Sequence, residues 1–246
     1  MAKPLLERQV NLIEHMTSGA AIFGREGDLS LAPDLEGIDR TLLRIEAQFS
    51  YAKRMEKITA VLPRTFALLG RGETEIVQEF VEICPPTTIN RVENARQFQQ
   101  FLSSRWMHEA PDPPYIRDVA ACELACAEVD ADVQDRESQL GKEASCTPRC
   151  GIRRCPAVVL LRCAYDVRPI FEAGPQQAVP KRRETLLVIA LPPGASRPQV
   201  LEVVPAIFDL LAALDNWTDP VAPDEDPDFA ELLMELTARG LVEVCR

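Results

Sequence analysis

Histidine is scarce in this chain: only His15 and His108 occur among 246 residues. Multinuclear iron and copper centres draw heavily on imidazole ligands, and a Ser-His-Asp relay needs a histidine placed beside its nucleophile. Two histidines equip the chain poorly for either kind of site. Composition therefore favours a binding or accessory protein over a metalloenzyme or a hydrolase.

Long apolar runs are missing as well. A helix that spans a bilayer takes about 20 consecutive apolar residues, and no stretch of this length and character occurs in the chain. The first ten residues include Lys3, Glu7 and Arg8, so they lack the apolar core of a signal peptide. We therefore expect a cytoplasmic protein with no membrane partner.

Positive charge is in deficit. Lysine and arginine number 27 against 38 aspartates and glutamates, which leaves a net charge of −11. Proteins that bind nucleic acid usually carry a basic face, because phosphate neutralisation supplies much of their affinity. The acidic balance therefore predicts partners other than nucleic acid.

Motifs of common enzymes are also absent from the sequence. It contains no phosphate-binding P-loop, no dinucleotide-binding glycine motif and no nucleophile elbow. Asp118 and Glu123 lie on one predicted helix but are five residues apart, so they do not share a face. We expect no catalytic residues and no enzymatic activity from the chain alone.

Hydrophobic periodicity divides the chain into a helical and a mixed part, so the expected fold class is α+β. Apolar residues recur at spacings of three and four throughout the first half, which predicts an all-helical domain over residues 1–135. Residues 136–155 are polar and contain three cysteines, which indicates a linker. Residues 156–246 then predict a small winged-helix-like domain, with three strands, two helices and a final strand at 157–161, 185–191, 200–203, 205–214, 229–239 and 241–245.

The linker holds the one cluster with the character of a metal site. Cys146, Cys150 and Cys155 are spaced such that their thiolates could bind zinc. A tetrahedral site needs a fourth ligand, which Cys84, His108 or a water would supply. The alternatives are unliganded cysteines in a loop, or a disulfide formed during handling.

The third predicted strand has one obvious neighbour, so one of its edges should be open. Proteins normally blunt such edges, because an open edge invites pairing with another chain. The last helix repeats apolar residues at spacings of three and four, and we expect Leu232, Leu233 and Leu236 to present an apolar face beside this strand.

Four segments of the sequence resemble a known family. They are 51–70 (YAKRMEKITAVLPRTFALLG), Cys84-Pro85-Pro86, 114–125 (PYIRDVAACELA) and 156–162 (PAVVLLR). They resemble accessory subunits that accompany multinuclear non-haem iron oxidative enzymes in the modification of ribosomally made peptides. The family includes the partner proteins of methanobactin and 3-thiaglutamate biosynthesis, and the resemblance to the second is closer.

The resemblance implies a non-catalytic subunit that forms a heterodimer with an iron-containing barrel enzyme. Such a subunit binds the leader of a precursor peptide and presents its cysteine-containing core to the enzyme. The leader would add as a strand to the third strand, a mode called β-augmentation, and contact the last helix. The implied peptide-binding residues are Val200, Leu201, Glu202, Val203, Leu232, Leu233, Glu235 and Leu236.

The same resemblance suggests an interpretation of four basic residues, namely Lys53, Arg54, Lys57 and Arg64. They would dock onto an acidic patch of the iron enzyme, although a solvated helix face explains them as well. The iron would belong to the partner, and the chain would carry no cofactor of its own. The resemblance does not extend to the cysteine loop, so a structural zinc there is a hypothesis from the cysteine spacing alone.

Two other functions compete with this interpretation. A winged helix commonly reads DNA, but its last helix would then carry basic residues, whereas this one has Glu231 and Glu235 against Arg239. A zinc-dependent enzyme built on the cysteine loop lacks the histidines of a hydrolytic site.

Overall fold

The structure is a computed structural model that describes residues 5–24, 37–140, 151–175, 179–218 and 227–245. It divides into two compact units, Met1–Asp112 and Pro113–Arg246. Helices make up the first unit and the strands lie in the second, which confirms the predicted α+β class.

Helices are the regular secondary structure of the described residues of the first unit. Its helices are α1 (Leu5–Thr17), α2 (Gly19–Phe23), α3 (Arg40–Val61), α4 (Pro63–Leu69), α5 (Glu73–Ile83) and α6 (Arg91–His108).

Local signals set the ends of these helices. Asp39 begins α3 by accepting a hydrogen bond from the N–H of Thr41 at 2.7 Å, and Asn90 begins α6 by accepting one from Val92 at 2.8 Å. Pro63 separates α3 from α4, because proline lacks the N–H that would continue α3 but suits the first turn of a new helix.

Aromatic rings form the centre of the first unit. The ring of Phe98 lies 5.1 Å from that of Phe66 and 4.9 Å from that of Phe80, and Phe80 in turn contacts Phe101. Phe80 and Phe98 are fully buried. This cluster joins α4, α5 and α6 through contacts that burial and ring geometry both favour.

The second unit surrounds two small antiparallel sheets. Its elements are α7 (Ile116–Leu140), β1 (Gly151–Arg154), β2 (Val159–Asp166), α8 (Arg168–Ala173), β3 (Lys181–Ala190), β4 (Gln199–Glu202), α9 (Pro205–Ala213), α10 (Pro227–Ala238) and β5 (Val242–Cys245). One sheet has the order β2-β3-β4, and the other pairs β1 with β5.

Strand β3 is the centre of this unit. Its residues 186–190 are all buried, and such a continuous apolar run is typical of a strand covered on both faces. Val188 and Ala190 pack in one cluster with Leu211 of α9. On the other face, Cys122 of α7 meets Cys163 of β2.

Two of the predicted boundaries change. Helix α7 packs against β2 and β3, so it belongs to the second unit rather than closing the first, and the units divide at 112/113 instead of 135. The predicted linker 136–155 is also partly structured: α7 continues to Leu140, and residues 151–154 form β1, whose partner is β5.

Candidate functional site

Strand β4 lies at the edge of the three-stranded sheet. Within the described residues its hydrogen-bonded neighbour is β3, with Leu187 opposite Glu202 and Ile189 opposite Val200. The predicted strand 200–203 is therefore present, one residue earlier, at Gln199–Glu202. Its second edge pairs with no described strand.

The hydrogen-bond pattern identifies which backbone groups face that edge. The N–H of Val203 donates to the carbonyl of Leu186 at 3.0 Å. In an antiparallel pair, hydrogen-bonded positions alternate with positions whose N–H and C=O point away from the partner strand. The backbone groups of Val200 and Glu202 therefore point away from β3, towards the open edge.

The side chain of Glu202 is engaged within the protein. Its carboxylate pairs with Arg183, with Nη1 and Oε1 2.6 Å apart, and with Arg168 at 2.5 Å. Both arginines also pair with Asp166, at 2.8 and 2.7 Å. We call these four residues the Glu202 network; it fixes the end of β4 against the neighbouring end of β2.

Electrostatics within the Glu202 network favour the charged forms. Hydrogen bonds from Arg168, then from Arg183, hold the pKa of Asp166 well below its usual range, although partial burial opposes this shift. The hydrogen bond from Arg183 likewise lowers the pKa of Glu202. Each carboxylate thus stays ionised and acts as a fixed acceptor.

Helix α10 is placed differently from the prediction. Leu236 is 4% exposed and belongs to the hydrophobic core with Leu241 and Val242, so it is closed to a peptide. Leu232 and Leu233 are half-buried and pack against the same core. The sequence predicts a peptide on the apolar face of α10, but β5 contacts this helix and takes part in covering that face. The pairing that places β5 there is not visible in the sequence.

Glu235 is exposed, as a peptide-contacting residue would be. Its carboxylate accepts a hydrogen bond from Arg239, one turn later on the same helix, at 2.7 Å. The prediction of its role stays a prediction.

Helix α7 supports the sheet through Asp118, a residue of the family-like segment 114–125. Its carboxylate accepts hydrogen bonds from the backbone N–H groups of Ala164 and Tyr165, the latter at 2.9 Å. The pairing of β2 with β3 shifts register between Cys163 and Tyr165, which marks a β-bulge. Backbone N–H groups at such a bulge leave the ladder and need another acceptor, which Asp118 provides. Burial nonetheless raises the pKa of Asp118.

Of the three predicted zinc ligands, Cys155 lies within the described residues. Cys155 is half-buried and packs against the hydrophobic core of the second unit. Cys146 and Cys150, the other predicted zinc ligands, lie outside the described residues. In the part of the chain that the structure describes, no three His, Cys, Asp or Glu side chains are grouped to hold a metal ion, so the zinc site stays a prediction.

The four predicted docking cations do not form one exposed stripe. Lys53 and Lys57 are exposed, but Arg54 lies inside the first unit and Arg64 is half-buried on α4. Arg54 donates to the side chains of Asn94 and Gln97, at 3.1 and 2.7 Å, and to the carbonyl of Cys84 at 2.7 Å. Its guanidinium also stacks over the ring of Phe80, 4.4 Å from the centroid.

The sequence does not reveal the residues that contact Arg54 or those that pair with Glu202. Asn94 and Gln97 lie about 40 residues from Arg54, and Asp166 and Arg168 were not singled out. The opposite charges of Asp166 and Arg168, two residues apart at the end of a strand, are the local signal of an ion pair. The contacts of Arg183 and Glu202 with them depend on the fold.

Comparisons with known proteins identify no family. No protein-family model matches the chain, and no curated protein matches its sequence. Across the described ranges, none of the helices combines the length and the apolar character that crossing a membrane requires.

Proposed function

We propose that this chain is a non-catalytic peptide-binding subunit that receives the leader of a precursor peptide by β-augmentation at β4. It would present the peptide's cysteine-containing core to a multinuclear non-haem iron enzyme, with which it forms a heterodimer. The iron belongs to the partner, and the role of the chain is to bind and orient. The open edge of β4, where Val200 and Glu202 turn their backbone groups outward, carries this proposal.

The surroundings of β4 suit an added strand. Its other edge is fixed to β3, and the Glu202 network anchors its end, so the backbone groups are held in position before a ligand arrives. A preorganised edge spares the peptide the cost of ordering its receptor. Main-chain hydrogen bonds supply the affinity in this mode, and side-chain pockets supply the selectivity.

The binding surface differs from the one that the sequence predicted. Leu236 is excluded because it is core, while Leu232 and Leu233 keep part of their surface. We retain Val200, Leu201, Glu202 and Val203 as the strand that pairs with the leader.

Two proline variants of β4 test the proposal. Val200→Pro removes an outward N–H and leaves the ladder to β3 intact, whereas Val200→Ala keeps the N–H and serves as its matched control. Leu201→Pro removes an inward N–H and damages the sheet itself. The probe is a labelled synthetic peptide with an extended leader of alternating apolar and polar residues ahead of a cysteine-containing core, titrated into the full chain.

We expect Val200→Pro to weaken peptide binding about three- to tenfold, the usual worth of one hydrogen bond, and Val200→Ala to change it little. Circular dichroism establishes that each variant is folded. Unchanged affinity of the folded Val200→Pro variant would show that the leader peptide does not pair with β4.

A further inference from the structure

A pocket of about 270 Å³ lies within the first unit, and none of the residues used above for peptide binding lines it. Helices α1, α2, α3, α5 and α6 and the segment after α5 all contribute to its walls. We call it the Arg54 pocket; its polar residues include Tyr51, Lys53, Arg54, Lys57, Thr88 and Asn94.

The pocket concentrates positive charge in an acidic chain. Lys53, Arg54 and Lys57 line it, and among the described residues of its walls there is no aspartate or glutamate. Burial, and after it the charge of Glu73, raise the pKa of Tyr51 in the pocket wall, so this hydroxyl stays neutral. Three cations around one cavity attract an anion.

Arg54 has hydrogen-bonding capacity to spare. A guanidinium carries five N–H groups, and three of those of Arg54 are used by Asn94, Gln97 and the carbonyl of Cys84. Among the described residues no carboxylate forms an ion pair with Arg54, and the group whose negative charge would favour it is the thiol of Cys84, whose pKa burial raises.

Burying the guanidinium of Arg54 without a carboxylate partner costs desolvation free energy. Arg54 is 8% exposed, and desolvation lowers its pKa to about 10. Neutral acceptors and the ring of Phe80 offset part of that cost, but a buried charge is stabilised best by an opposite charge.

The remaining walls are apolar. Met16, Ile22, Val81, Pro86 and Ile89 contribute them, and Lys57 closes one side by donating to the carbonyl of Ile89 at 2.9 Å. A ligand for this pocket therefore combines one anionic group with a short apolar body.

We propose that the Arg54 pocket binds a carboxylate carried on a short apolar stem. Such a group occurs either as a free organic acid or as a glutamate side chain of a docking protein. A carboxylate matches the planar guanidinium in geometry. A phosphate dianion is less suited, because the apolar walls would strip its hydration without replacing it.

Titration of the isotope-labelled full chain tests the inference by NMR. The free-acid probe is hexanoate, with hexanamide as its neutral control. The peptide probe is acetyl-Leu-Glu-Leu-amide, with acetyl-Leu-Gln-Leu-amide as its control. The readouts are the Nε–H of Arg54, which is buried and bonded to Asn94, and the side-chain amide of Asn94, both assigned by triple-resonance methods.

We expect saturable shifts of both signals with the acids and not with the amides. Lys57→Gln should weaken binding at least about threefold, since an exposed charge contributes modestly, while Lys181→Gln in the second unit should leave it unchanged. Tighter binding of hexanoate assigns the site to a free acid, and tighter binding of the glutamate peptide assigns it to a docking side chain. Equal binding of acids and amides, or no shift at Arg54 with any probe at millimolar concentration, would overturn the proposal.

This outcome is separable from that of the proposed function, because the pocket and β4 lie in different units and are read by different probes.

Discussion

Asp118 and Asp166 are both partly buried aspartates of the second unit, yet their pKa values shift in opposite directions. Asp118 accepts hydrogen bonds from neutral backbone N–H groups, and burial dominates, so its pKa is raised. Asp166 accepts hydrogen bonds from Arg168 and Arg183, and these lower its pKa. What each carboxylate contacts therefore decides the sign of its shift.

The lowered pKa of Asp166 predicts a pH-dependent contribution to stability. A carboxyl group whose pKa falls on folding stabilises the native state above its unfolded pKa, and this contribution disappears as the pH falls through the folded pKa. We expect Asp166→Asn to reduce the free energy of unfolding at pH 7 by about 1 to 2 kcal/mol. The difference from wild type should shrink as the pH drops below the ordinary value of 3.8.

Urea unfolding at several pH values measures this difference. Asp132→Asn, at an exposed position of α7, is the matched control and should change stability little at any pH. A stability loss in Asp166→Asn that stays constant from neutral pH to below pH 3.8 would show that charge is not its cause.

At the scale of elements, the end of α10 depends on Gly240. This glycine has φ = 71°, in the left-handed region, and the N–H of Leu241 donates back to the carbonyl of Leu236 at 2.9 Å. The pattern is that of a Schellman cap, which turns the chain from α10 into β5. A Cβ added here would come within 3.2 Å of Cδ of Pro193.

We predict that Gly240→Ala lowers the free energy of unfolding by about 2 kcal/mol, because strain in φ and the contact with Pro193 add together. Gly194→Ala is the control: its φ is 80°, but a Cβ there meets nothing within 4 Å. It should cost about 1 kcal/mol, the conformational part alone. Equal losses of stability for the two variants, measured by urea unfolding, would show that the contact with Pro193 does not contribute.

Elements with a strong period could be predicted from the sequence. The apolar faces of α3 and α6 and the run that forms β3 are properties of short segments, so local reasoning finds them. Strand β1 could not be found, because its four residues form a strand only by pairing with β5, about 90 residues later. The burial of Arg54 could not be predicted for the same reason, since its acceptors Asn94 and Gln97 are about 40 residues away in the chain.

At the scale of the whole molecule, the division at 112/113 assigns α7 to the sheet. Residues Leu187 and Ile189 of β3 are fully buried, and the face they share with Cys163 is the one that meets α7. Removal of α7 would expose this apolar surface to water, at roughly 25 cal/mol for each Å² uncovered.

Two fragments test this division. We expect residues 113–246 to unfold cooperatively in urea with native-like circular dichroism, and residues 136–246 to lack a cooperative transition and bind a hydrophobic dye. If the shorter fragment is as stable as the longer one, α7 is dispensable to the second unit and the domain boundary belongs nearer 135.

The outward backbone groups of β4 also determine how this site would behave under mutation. Peptide N–H and C=O groups are common to every residue except proline, which lacks the N–H, so replacing the side chain at 200 leaves the pairing edge chemically unchanged, whereas position 202 also carries the carboxylate of the Glu202 network. Alanine at 200 would then be silent, and a genetic screen for loss of function would recover prolines at 200, changes in the Glu202 network and folding defects instead. Among homologues the identity of residue 200 would be free to change while the edge itself persists, so sequence comparison would overlook a residue whose backbone would pair with the proposed leader.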